Sequence, residues 1–150
     1  MLKRYVSIRD IITGSNCKII EPVNLYGCTL GDDCFIGPFV EIQKNVSIGS
    51  NTRIQSHAFI CELVTIGDCY FISHGVMFVN DVFKGGGPAG GDKTKWLGTR
   101  IGDHVSIGTN STVLPVTICN NVVIGAGSVV TKDIATPGIY AGNPAKLIRT

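Results

Sequence analysis

The sequence predicts an all-β chain: a single-stranded, left-handed parallel β-helix with one external loop and a short C-terminal helical turn. Three observations lead there. The first is a six-residue beat of large apolar residues: Leu30, Ile36, Ile42, Ile48, Ile54, Ile60, Ile66, Ile72 and Phe78. An amphipathic helix repeats at about 3.6 residues and a lone strand at about two, so a beat of six belongs to a solenoid. Each hexapeptide supplies one short flat strand, and three of them make a triangular coil of about eighteen residues whose apolar residues stack on the next coil. The second observation is a smaller inward residue two places before each large one: Cys34, Val40, Val46, Thr52, Ala58, Val64, the larger Tyr70, and Val76. A narrow prism has room for one large and one small side chain per strand. The third is the punctuation. Glycine follows the apolar residue at Gly31, Gly37, Gly49, Gly67, Gly102, Gly108 and Gly125, where corners and close backbone approach leave little space. Asn or Asp recurs beside it (Asp32, Asp33, Asn45, Asn51, Asp68, Asp103, Asn120), because these residues accept left-handed turns.

Taken in order, Thr13, Ile19 and Leu25 continue the beat upstream, and Leu30 follows after a step of five. Coils before residue 13 are unassigned. The regular run ends at Phe78 and resumes at Ile101. Residues 81–100 between them form an external loop with six glycines, Lys84, Lys93, Lys95, Arg100 and the single Trp96. Long loops of this kind are often functional. A tryptophan among basic residues predicts that the far end is docked. A second step of five, from Val113 to Ile118, sits at Pro115, where a corner absorbs a missing residue. After Val130 the beat stops and residues 132–150 form a C-terminal extension. There Asn143-Pro144-Ala145 reads as an N-cap and first helical turn. One domain covers residues 1–150.

A formal charge of +2 gives no nucleic-acid footprint, although a small positive bias suits a phosphorylated ligand. The N-terminal residues lead into no signal-peptide stretch, nothing is long and apolar enough for a membrane span, and the six cysteines show no CxxC or metal spacing. A cytoplasmic location with reduced thiols is expected.

Candidate chemistry gathers just before the loop. Ser73, His74, Asn80 and Asp81 fall within one and a half hexapeptides, where a cleft needs polar groups and a loop to cover them. Asn80 and Asp81 could equally cap the departing corner. His57 and His74 are seventeen residues apart, one short of a coil, so they lie near one corner on neighbouring coils. With His104 they raise a zinc site like that of the carbonic anhydrases of this fold. Those enzymes use a close His-x4-His pair that this chain lacks, and no metal is expected.

Several segments together match a family. Gln55-Ser56-His57, Phe59-Ile60-Cys61-Glu62, Phe78-Val79-Asn80-Asp81, Val123 through Asp133 and Ala141-Gly142-Asn143-Pro144-Ala145-Lys146 resemble the hexapeptide-repeat acyltransferases. Among these the chain is most similar to N-acetyltransferases acting on nucleotide-linked amino sugars of bacterial surface polysaccharides, lipopolysaccharide included. The resemblance covers nearly the whole chain; its C-terminal motifs mark the superfamily and the His57–Asp81 stretch the nucleotide-sugar group.

That resemblance implies acetyl transfer from acetyl-coenzyme A to a sugar amine in a homotrimer, with clefts between subunits. It implies Asn80 and His74 as catalytic residues, one orienting the amine and the other acting as base or substrate contact. His57, Glu62, Asp81 and Trp96 are the expected substrate contacts. Gly108 and Ala126 would let the pantetheine arm approach the backbone, and Lys132 would meet a phosphate. The alternatives are an O-acetyltransferase on a sugar or small alcohol, which leans harder on a histidine base, and a non-catalytic binding prism.

Overall fold

A computed structural model describes residues 1–150 and shows twenty-one short strands, most of them two residues long. They line up in three sheets of seven, six and eight strands, so the chain winds as a triangular parallel β-helix. Sheet 1 contains Glu41–Ile42, Phe59–Ile60, Met77–Phe78 and Thr112–Val113; sheet 2 contains Ser47–Ile48, Val64–Ile66 and Thr99–Ile101; sheet 3 contains Arg53–Ile54, Phe71–Ile72 and Ser106–Ile107. The register is that of the six-residue beat. Ile36 pairs with Ile19 below and Ile54 above, and Ile54 with Ile72. All nine residues of the main beat are buried, and so are the eight smaller ones, giving one continuous core along the prism axis. The ring of Tyr70 fits inside this column, although its hydroxyl and that of Thr52 find no protein partner.

The corner from sheet 2 to sheet 3 shows why glycine and Asx alternate. Asp32 Oδ1 accepts from the Ser15 amide at 2.7 Å, Ser50 Oγ from Asp32 at 3.0 Å, and Asp68 Oδ1 from Ser50 at 2.7 Å. Asp103 and Asn120 continue the ladder, each at 2.9 Å. Each side chain caps an amide one coil below, which satisfies donors that the corner takes out of the sheets. A Cβ on Gly49 would collide with Asp68 Oδ1 and come within 2.5 Å of the Gly67 carbonyl oxygen.

The C-terminus differs from the sequence reading in two ways. The prism continues past Val130: Ile134 is buried and bridges Ile118, and Gly138–Ala141 joins sheet 3 parallel to Val122–Ile124. The expected helical turn at Asn143-Pro144-Ala145 is instead the turn of a hairpin, because Lys146–Arg149 returns antiparallel to Gly138–Ala141. A residue before proline is pushed out of the helical region, and a strand edge was available to take up the backbone bonds. At the other end, coils run back to Ile8–Arg9, which pairs with Asn24–Tyr26. No helix is long and apolar enough to cross a membrane.

Candidate active site

Sheet 1 has two edges, and the polar residues singled out by the sequence divide between them. The edge shared with sheet 3 is a regular column. Phe39, His57, Gly75, Asn110 and Gly127 all have φ between 58° and 67°, so each coil turns the corner in the same left-handed conformation. Backbone bonds join Gly75 to Ser56 at 3.1 Å, Asn110 to His74 at 2.9 Å and Gly127 to Thr109 at 2.8 Å. This stacks Ser56, His74, Thr109 and Ala126 on successive coils. Ser56 Oγ lies 2.9 Å from His74 Nδ1, leaving exposed His74 with an unpartnered Nε2. Beneath them the His57 ring stacks on Phe39, with centroids 5.0 Å apart and planes 19° apart. Ser73 Oγ meets Thr109 Oγ1 at 2.7 Å.

Gly108 and Ala126 belong to this same column. A side chain on Gly108 would come within 2.5 Å of the Ala126 amide nitrogen, so coil packing alone requires the glycine. Thr109 stands directly above His74, and the small residues Gly108 and Ala126 flank it on the same corner.

The other edge, toward sheet 2, carries the loop. Glu62 is buried, and its Oε1 accepts from Lys93 Nζ at 2.8 Å. That contact raises the Lys93 pKa above its ordinary 10.5, with the Glu62 hydrogen bond as the main cause, burial acting against it and the Glu62 charge adding to it. Lys93 also lies 5.1 Å from the centroid of the Trp96 ring. The Glu62 amide donates to Gln43 Oε1 at 3.2 Å, and Asn80 Nδ2 donates to the Glu62 carbonyl at 3.2 Å. Asp81 folds the near half of the loop: Oδ1 accepts from Phe83 N at 3.0 Å and Oδ2 from Ala89 N at 2.7 Å. At the far end a short 3-10 turn, Lys93–Lys95, is capped by Asp92, and Leu97 N donates to Asn80 O at 2.9 Å. The loop is docked at its far end, as the position of Trp96 suggested. Trp96, Phe59, Phe78, Asn80 and Asp81 help line a shallow groove of about 390 Å³.

Within one chain, then, His74 and Asn80 stand at opposite edges of sheet 1, separated by up to ~20 Å of extended chain. His57 keeps company with His74 rather than with Glu62. Asp81 has both oxygens engaged by the loop backbone, and Glu62 has one held by Lys93. Lys132 is exposed on the loop edge, across the sheet from Gly108 and Ala126. Ser56 and Gln43 were not among the site residues picked from sequence, whereas Lys93 was expected to help dock the far end of the loop and does so through Glu62. Ser56 was within reach, since it lies one eighteen-residue coil before His74. His104 sits at the third corner, beside Asp103, and no group of three or more His, Cys, Asp or Glu side chains is placed to hold a metal ion.

A triangular prism of stacked hexapeptides is the fold that sequence comparison also finds. Residues 27–62 match the bacterial transferase hexapeptide (six repeats), and residues 98–132 match the hexapeptide repeat of succinyl-transferase. The chain belongs to the hexapeptide-repeat acyltransferase family. It is 39% identical over 136 residues to the bifunctional protein GlmU of Acinetobacter baumannii (strain AYE), an alignment covering 89% of this chain and 27% of that protein. The chain spans roughly a quarter to a third of the length of the curated relatives it matches. Among solved structures it is similar to a hexapeptide-repeat containing acetyltransferase from Vibrio cholerae O1 biovar eltor complexed with acetyl-coenzyme A. Identity there is 27%, the TM-score 0.70, and coverage 83% of this chain and 70% of that one. A maltose O-acetyltransferase from Clostridium difficile 630 is also 27% identical, with a TM-score of 0.61 and coverage of 95% and 68%.

Proposed function

We propose that the chain is a coenzyme A-dependent N-acetyltransferase that moves the acetyl group of acetyl-coenzyme A to the amine of a nucleotide-linked amino sugar, in the making of a bacterial surface polysaccharide. The observation that carries this reading is the His74 corner, where an imidazole with one nitrogen held and one free shares its edge with the small residues Gly108 and Ala126. The relative complexed with acetyl-coenzyme A supports the choice of acetyl donor.

In this reading the pantetheine arm runs along this corner and brings the thioester carbonyl to His74. The sugar nitrogen attacks that carbon; the carbon–nitrogen bond forms and the carbon–sulfur bond breaks. His74 Nε2 takes the proton leaving the nitrogen and passes it to the departing thiolate, while Ser56 Oγ, accepting from Nδ1–H, keeps the required tautomer. Holding both reactants in line can be worth roughly 7–11 kcal/mol of barrier in well-oriented cases. Lys132 remains assigned to a coenzyme phosphate and His57 and Trp96 to the sugar, with Glu62 and Asp81 shaping the loop that walls it.

Asn80 orients the amine, which requires a second copy. The outward rows of sheets 1 and 3 mix apolar residues (Phe59, Met77 and Val129; Phe35, Phe71 and Val123) with polar ones such as Glu41, Thr112, Arg53 and Ser106, whereas sheet 2 is mostly polar, with Thr29, Ser47, Thr65, Arg100 and Thr117 beside the single Ile12. A homotrimer closing over the walls of sheets 1 and 3 would set the Asn80 edge of one copy against the His74 edge of the next. The second reading, O-acetylation of a sugar, draws on the Ser56–His74 contact, since a hydroxyl needs a base more than an amine does, and on the similarity to the maltose O-acetyltransferase.

The test is thiol release from acetyl-coenzyme A with a panel of nucleotide-linked amino sugars and matched hydroxyl sugars, the product's acetyl position being read by NMR. Amine acetylation that survives a chelator is expected. Acetylation of hydroxyl acceptors alone would favour the second reading, and zinc-dependent turnover would overturn both.

A further inference from the structure

The largest groove on the chain lies away from both edges' singled-out residues, at the N-terminal end of the loop edge. It measures about 570 Å³ and is lined by Arg4, Tyr5, Arg9, Asn24, Tyr26 and Lys44, with Asp10 the one acidic residue on its wall. The Arg9 guanidinium is already positioned: Nη1 donates to Ser7 Oγ at 2.9 Å, Nη2 to Asn24 Oδ1 at 3.3 Å, and the group lies 5.0 Å from the Tyr26 ring centroid. Lys44 stands one coil above Gly27, close enough that a Cβ on that glycine would come within 2.7 Å of the Lys44 Cβ. Three cations against one carboxylate, beside an aromatic ring left exposed at Tyr5, suit a ligand with two adjoining phosphates and a flat base. The nearby carboxylates have partners: Glu62 pairs with Lys93, and Glu41 accepts from Gln43 at 3.0 Å.

We propose that this groove binds a nucleoside diphosphate group, with the pyrophosphate against Arg4, Arg9 and Lys44 and the base on the Tyr5 ring. The proposal rests on the amino-sugar reading for its source. Adjacent coils are roughly 4.7–4.9 Å apart. Glu62 and Asn80 therefore lie about two and three coils above Tyr26, a distance that a hexose joined to a pyrophosphate spans. Coenzyme A has a pyrophosphate too, but the corner proposed for its arm lies across sheet 1 and its proposed phosphate contact, Lys132, at the opposite, C-terminal end of the prism, so the nucleotide sugar is the ligand to which the groove is assigned.

Calorimetry on the full chain with UDP, dTDP and free coenzyme A separates the two sources, using Arg9→Gln and Lys44→Gln as exposed substitutions whose folding is checked by circular dichroism. A nucleoside diphosphate should bind, each substitution should weaken it roughly tenfold, as expected for one charged hydrogen-bonding group, and added salt should weaken the wild type most. Coenzyme A should bind with affinity unchanged by either substitution. In turnover, both variants should raise KM for the nucleotide-linked amino sugar and leave kcat alone. Nucleoside diphosphate binding that ignores both substitutions would overturn the groove while leaving the proposed function standing. Weakened coenzyme A binding would reassign the groove to the donor. Groove binding without any acetyl transfer would instead overturn the proposed function and keep the groove.

Discussion

The two edges of sheet 1 are built from the same repeat and behave differently. Along the His74 edge every coil turns in the same left-handed conformation, and the stack of Phe39, His57, Gly75, Asn110 and Gly127 is unbroken in space although the loop lengthens one step, Gly75 to Asn110, to 35 residues. Along the loop edge the column runs through Lys44 and Glu62 to Asn80, and there the chain leaves the coil for the loop, whose far end returns to the Asn80 carbonyl through Leu97 N. The first edge is held by repetition. The second is held by individual contacts, chiefly Glu62 with Lys93 and Asp81 with two loop amides. Repetition gives rigidity and a fixed spacing between functional groups; particular contacts give a wall that can be released.

The sharpest way to break the regular side is through the core they share. Ile54→Asp buries a charge with no partner between Ile36 and Ile72, at a cost of several kcal/mol. It should abolish the cooperative thermal transition seen by circular dichroism. Retained folding would mean that the stacked core is not what holds the coils.

Next come the two edges as halves of one site. His74→Ala and Asn80→Ala should each lower kcat by about one to three powers of ten, the usual loss when a transition-state contact is removed. Both deficits should appear in kcat more than in KM, the pattern of contacts made in the transition state. Mixing the two inactive variants sharpens the comparison. If sites form between copies, mixed trimers regain part of the activity, because some interfaces pair an intact His74 edge with an intact Asn80 edge. Absence of any recovery, with subunit exchange confirmed by mass spectrometry, would place both residues in one chain's site.

How far the sequence could be read follows the same division. The beat of Leu30 to Phe78 located every large core residue of the main run, because periodic stacking makes each residue's neighbours calculable. It also placed His57 and His74 near one corner. Spacing along the chain was misleading for Asn80, which looked close to His74 because only six positions separate them. A strand crosses the full width of the sheet in that distance. The partners of Asp81 and Glu62 were illegible, since an inserted loop has no register to count from. The hairpin at Gly138–Arg149 was missed for a related reason: it is defined by a free sheet edge, and Asn143-Pro144 carries a turn signal compatible with more than one outcome.

A smaller perturbation tests the glycine ladder at the corner between sheets 2 and 3, which repeats as the His74 edge does. Gly49→Ala forces a methyl against Asp68 and the Gly67 carbonyl, both held in place by the coil above. Overpacking of this sort costs about 1–3 kcal/mol, and it should lower Tm without changing kcat in the surviving folded protein. The same substitution at Gly87, which has open space around it, should leave Tm where it was. Equal effects at both positions would show that the corners tolerate side chains and that the glycines have another purpose.

The least effect is expected from the loop latch, and pH supplies its signature. The Lys93 pKa is raised in the folded chain by its hydrogen bond to Glu62. A raised lysine contributes its full stabilisation below its ordinary pKa and loses it as pH climbs through the folded value. The loop should therefore stay docked through neutral pH and begin to loosen only above about pH 10.5, the ordinary lysine value. Hydrogen exchange in residues 82–97 would read this. Protection there should fall with alkaline pH relative to intrinsic exchange rates, while strands of the prism such as Val64–Ile66 keep theirs. Glu62→Gln removes the charge but keeps a hydrogen-bond acceptor for Lys93, so it should lower loop protection a few-fold at neutral pH and flatten the alkaline decline. If the wild-type loop is equally protected on both sides of that pH, or if the variant reproduces the wild-type profile, the ion pair is not what holds this edge closed, and Asp81 with its two amide bonds carries the docking.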